Sequence, residues 1–160
     1  MSKIKTIISS GQGLIQERID DSEDGSMIID VPIILAGTTV PLPSLIRGQF
    51  VYVIAGTLAV GTDSAARCNP STSFRITEVR LDCKTAPTGA AIIVDVNVNA
   101  ASIFSLGNRP QIAAAATSGT SSTFLSDSLS ENDLITIDID QVGSSVAGSN
   151  LTISIRGYLI

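Results

Sequence analysis

Asp138 and Asp140 stand two residues apart in the alternating stretch Leu134-Ile135-Thr136-Ile137-Asp138-Ile139-Asp140, so both carboxylates point to one face of a strand, about 7 Å apart. That spacing suits an inverting glycosidase pair, one group protonating the leaving oxygen and the other activating water. Alternating aspartates are also the ordinary dress of a solvated strand face, and no aromatic sugar platform accompanies these two. Asp133, Asp138 and Asp140, joined by Asp95 if its strand is adjacent, would offer oxygens to calcium, a hard cation that takes several. The compact Asp-x-Asp-x-Asp-Gly loop that usually holds that ion is missing from the sequence.

The remaining chemistry is thinner. The chain has no histidine, so neither a Ser-His-Asp triad nor a Cys-His pair can be built. Gly11-Gln12-Gly13 lacks the third glycine and the preceding strand of a phosphate cradle. Asn150-Leu151-Thr152 matches a glycosylation acceptor, a triplet that arises readily by chance. Arg109 before Pro110 reads as a solvated loop arginine, the alternatives being an anchor for its loop or a contact with a neighbour's carboxylate. The expectation is a protein that is not an enzyme, with no catalytic residues, no metal and no cofactor.

Composition narrows the partners. A net charge of −5 with ten scattered basic residues argues against binding to a phosphate backbone, and the absence of tryptophan weakens any base-stacking platform. No nucleic acid is expected. Hydrophobic residues make up 44 % of the chain, yet no run approaches the roughly 20 apolar residues of a bilayer span. No membrane partner is expected either, and Ser9 to Gly13 interrupts the apolar start before a signal peptide could develop. Charged residues are only 16 %, so some apolar surface is expected at subunit contacts. Cys83 shares its parity with Thr77, Val79 and Leu81, the setting of a reduced core thiol; a bond to Cys68 is the alternative.

Two segments differ in character. Residues 1–48 carry an acidic cluster from Glu17 to Asp24 and then the apolar run Met27 to Leu35, interrupted by Pro32. A proline there suits an edge strand or an extended arm. This segment reads either as an extra strand on its own domain or as an arm that docks on a neighbouring subunit through Ile28, Ile29, Val31, Ile33, Ile34 and Leu35. Residues 49–160 read as strands and turns. Phe50 to Ile54 and Leu58 to Val60 flank Gly56. Phe74 to Cys83 is a long strand whose apolar phase slips between Ile76 and Thr77, as at a β-bulge. In the strand that starts at Ile92, Ile92, Val94, Val96 and Val98 face one way, while Ile93, Asp95, Asn97 and Asn99 face the other. A hairpin turn over Asn97 to Ala101 leads into a strand Ser102 to Leu106, and Asn108 to Ser122 reads as a long small-residue loop. Leu134 to Asp140 and Leu151 to Arg156 alternate again. About seven or eight strands with frequent turn signals and no 3.6-residue period indicate an all-β, antiparallel β-sandwich or barrel, here assigned as a sandwich of jelly-roll type with an extended N-terminal arm.

Several of these motifs recur together. Gly56-Thr57-Leu58-Ala59-Val60-Gly61-Thr62, Ile76 to Leu81, Thr85 to Asn99, Ile103-Phe104, Asn108 to Ala114 and the 133–155 stretch, taken in order, resemble a jelly-roll module of tailed-bacteriophage virion proteins. The resemblance spans about residues 56–156. Such modules occur in capsid decoration (cement) proteins and in some head or tail fibre proteins, where they end a longer chain. Here the module makes up most of a short chain, so the resemblance implies a decoration subunit that binds the outer capsid surface and stabilises the shell. It further implies a homotrimer, the major capsid protein as partner, synthesis in the host cytoplasm and residence in the virion. The alternative it implies is a receptor- or glycan-binding module of a head or tail fibre.

Overall fold

The computed structural model describes residues 46–160 in full and, before them, the backbone of the strands β1 (Lys3–Ile8), β2 (Ile15–Asp20), β3 (Ile33–Leu35) and β4 (Thr38–Val40). The chain divides into two compact units, Met1–Ile46 and Arg47–Ile160. In the first, β1 pairs antiparallel with β2 and β3 with β4. Of the residues assigned to a docking arm, Ile33, Ile34 and Leu35 form β3, opposite Val40, Thr39 and Thr38. Ile28, Ile29 and Val31 lie outside the described residues.

The second unit is all-β, built from two antiparallel sheets. The first runs in the order β10 (Ser118–Ser121), β6 (Phe74–Thr85), β13 (Ser149–Leu159), β5 (Arg47–Thr57), and β11 (Ser128–Leu129) pairs with the start of β6. The second has β7 (Ile92–Val98) at its centre. β12 (Ile135–Gln141) lies on one side of it, and β8 (Ala101–Ser102) and β9 (Gln111–Ile112) share the other. Single bridges from Gly61 to Ile139 and from Cys68 to Ile135 add the 61–68 segment to the far side of β12. Among the described residues no helix is long and apolar enough to cross a membrane.

Period-two burial builds these sheets. Ile76, Val79, Leu81, Leu151, Ile153 and Ile155 of the first sheet are buried with Ile92, Val94, Val96, Ile135, Ile137 and Ile139 of the second in one core. Burying one such aliphatic side chain is worth roughly 1.5–3 kcal/mol, which is why alternation specifies the face so firmly. The phase slip in β6 is a true bulge. Arg156 faces Glu78 while Gly157 faces Ile76, leaving Thr77 exposed and without a partner of its own. The ring of Phe74 fills the space beside Gly157, where a Cβ would collide with the Arg75 carbonyl, and packs edge-on against Phe50 with centroids 5.1 Å apart.

Three readings of the sequence are corrected. Leu58 to Val60 is not a strand but the crossing between sheets, with Leu58 N–H donating to the Gly148 carbonyl. The strand expected over Ser102 to Leu106 is only β8, two residues long, followed by a short 3-10 turn at Leu106–Asn108. Asn99 and Ala100, at φ 52° and 67°, make the tight hairpin turn before it, but the chain then leaves the edge of β7 to make room for β9. The region read as a loop from Asn108 to Ser122 contains β9 and β10, whose small side chains carry little apolar alternation.

Candidate functional site

The outer face of the second sheet collects the carboxylates that the sequence singled out. Asp95 on β7 lies directly opposite Asp138 on β12, and Asp140 follows on the same face. Like charges facing each other across a ladder destabilise a sheet unless each finds a counter-group. Each does. Arg109, carried over this face by the segment between the 3-10 turn and β9, places Nη2 2.7 Å from Asp95 and Nη1 2.7 Å from Asp140. Ser102 Oγ donates to Asp95 at 2.6 Å. Asp138 accepts from the Asp63 backbone N–H at 2.7 Å and from Asn97 Nδ2 at 2.9 Å.

Arg109 is therefore not a solvated loop arginine. Its side chain is 21 % exposed, that of Asp95 5 % and that of Asp140 31 %, and Arg109 Nε is buried with no hydrogen-bond partner. Burial raises the pKa of the Asp140 carboxyl; Arg109 opposes that shift, and the charges of Asp95 and Asp138 add to it. Replacing a buried carboxylate's water with a fixed guanidinium is costly unless the geometry is good, and the two short contacts here supply it. The segment is further fixed by Val94 N–H, which donates to the Pro110 carbonyl.

The structure thus brings Asp95, Asp138 and Asp140 together and leaves Asp133 apart. Asp133 caps its own turn, accepting from Asn99 Nδ2 at 2.8 Å and from Ser130 N–H at 2.7 Å. Among the described residues no group of three or more acids or thiols is arranged to hold a metal ion. The oxygens that a general acid or a cation would need are largely occupied by internal donors, so the cluster works as a brace tying the 106–112 segment to β7 and β12. Nothing local marks Arg109 for this role. Its only signal in the sequence is indirect: Asp138 and Asp140 on one strand face, with Asp95 if its strand is adjacent, require a counter-charge.

The surface beside the brace is shallow. A groove of about 290 Å³ is rimmed by Thr62, Asp63, Arg67, Asn97, Thr136 and Asp138. A second, of about 370 Å³, runs between β5 and the 66–68 segment, lined by Gln49 to Val53 on one wall and Ala66, Arg67 and Cys68 on the other. Beneath it the Tyr52 hydroxyl is buried without a hydrogen-bond partner, and desolvation, with Cys68 beside it, pushes its pKa far above the usual phenol value. Both cysteines are free, Cys83 buried and Cys68 half-buried. No family model, curated protein or solved structure matches the chain.

Proposed function

We propose that this protein is a virion structural protein of a tailed bacteriophage, a jelly-roll decoration subunit that binds the outer capsid surface and stabilises the shell. The observation that carries the reading is the path of the chain between sheets. β5 lies in the first, the 61–68 segment in the second, β6 in the first, β7, β8 and β9 in the second, β10 in the first, β12 in the second and β13 in the first. This back-and-forth winding supports the jelly-roll assignment, a fold that virion shells use widely. A fold alone does not assign a function, so the motif resemblance supplies the rest of the argument.

In this reading the partner is the major capsid protein, and copies of the chain associate about a threefold. The apolar 28–35 segment adds contacts to the lattice at high effective concentration. The test is to mix the purified protein with undecorated capsids and, separately, with host cells. Co-sedimentation with capsids and a raised capsid melting temperature are expected; binding to cells alone overturns the proposal.

A second reading, a glycan-binding module of a head or tail fibre, draws on the polar groove rimmed by Thr62, Asp63 and Arg67, whose exposed hydroxyl, carboxylate and guanidinium suit sugar hydroxyls. It predicts that Arg67→Ala, at an exposed side chain, abolishes binding to host cells while leaving the fold intact.

A further inference from the structure

We infer that β5 is a docking edge for a second copy of this chain, the two β5 strands pairing antiparallel about a twofold axis perpendicular to the sheet. The contact is independent of the capsid reading and distinct from a threefold association.

Among the described residues β5 has β13 as its only neighbour, so the other side of its regular run, Arg47 to Ile54, presents unpaired N–H and C=O groups. The only chemistry that satisfies such a row is another extended backbone. From Gly48 to Thr57 there is no lysine, no proline and no charge to blunt the edge; a bulge at Ala55–Gly56, where Gly56 has φ 83°, ends the regular run at Ile54. Val51 and Val53 stand on its outer face, 50 % and 65 % exposed, where edge residues of a monomer are usually polar. The groove beside this edge has one charged wall residue, Arg67, and Asp63 already pairs with it.

A second copy fits this edge better than an arbitrary strand because β5 complements itself. A twofold keeps inner faces inner, so opposed residues must share parity. Centring the pair on Tyr52 sets Val51 against Val53 of the other copy, and Val53 against its Val51, so four valines cover one another on the outer face. The regular pairing runs from Phe50 to Ile54 of each copy, and Arg47, the one charge on the strand, lies outside it at the opposite end from its like. Pairing of this extent is at the small end of specific interfaces, so association in the micromolar range is expected.

The experiment is sedimentation equilibrium of the full chain across that range, with hydrogen exchange read along β5. The wild type is expected to dimerise, and alternate amides of the regular run around Tyr52, from Phe50 to Ile54, should gain protection as the dimer forms. Val51→Lys combined with Val53→Lys sets like charges directly opposite each other and should weaken association at least tenfold. Val60→Lys, at an exposed valine outside the strand, should leave it unchanged. Because both valines are exposed, the double variant should fold, and the wild-type exchange pattern tests the inference without it. A wild type that stays monomeric overturns the inference, whether its β5 amides are open or are protected by another segment of its own chain. Equal association of wild type and double variant overturns it as well, placing the contact elsewhere.

Discussion

The two edges of the sandwich are finished in opposite ways. At one, β9 and β10 cross so closely that a Cβ on Gly119 would collide with the Gln111 carbonyl, and Arg109 straps the preceding segment over Asp95 and Asp140. At the other, β5 faces the 66–68 segment across an open groove, with two valines in solvent. The closed edge spends buried charge and a glycine to hold a loop-rich stretch that has little apolar side chain of its own. The open edge is apolar, its regular run ending at the bulge of Ala55–Gly56, and among the described residues only β13 pairs with it.

Breaking the strap should have the largest effect. Arg109→Ala leaves Asp95 buried with only Ser102 as donor, and a loss of about 3–5 kcal/mol is expected in urea unfolding, as for other buried pairs deprived of one member. If the loss is under about 1 kcal/mol, the strap is not what closes this edge. Adding Asp95→Asn to Arg109→Ala should recover part of the loss, since the uncompensated charge is then gone. Gly119→Ala comes next, at roughly 1–3 kcal/mol, because backbone must move to admit the methyl group. By contrast, the paired lysine substitutions at Val51 and Val53 should change monomer stability by no more than about 0.5 kcal/mol, the usual range for exposed sites.

Asp140 sharpens the comparison through pH. Its carboxyl has a raised pKa in the folded state, so the folded chain binds more protons than the unfolded one, and this group's contribution to stability falls as pH rises through that raised value. Asp140→Asn should therefore gain on the wild type as pH rises from the ordinary carboxylate range through that raised value, read as the difference in urea midpoints. A difference that shrinks with rising pH would mean that Arg109 outweighs burial at this site. The smallest effect concerns the thiols. Burial and the nearby Asp82 raise the pKa of Cys83, so a thiol reagent should label half-buried Cys68 first and reach Cys83 only on unfolding.

Much of the strand content could be read before any coordinates. The alternation in Ile92 to Val98 and Leu134 to Asp140, and the phase slip at Thr77, are local records of which side of a pleat meets the core. The same reasoning failed where burial has no local period. Arg109 looked solvated because its two carboxylates lie 14 and 31 residues away along the chain. β10 looked like a loop because Ser118, Gly119, Thr120 and Ser121 pair with β6 by backbone alone. Asp95 sits on the polar side of its strand and is nonetheless 3 % exposed, because the 106–112 segment folds over it.

By itself, then, the order of residues determined the class of structure, the faces of its long strands and the place of the bulge, since period-two burial is written within a few neighbouring positions. The pairing of sheets, the strap over the acids and the bare edge of β5 were decided only in three dimensions. Each depends on which distant segments the packed core brings within hydrogen-bonding reach, and no spacing along one strand encodes that.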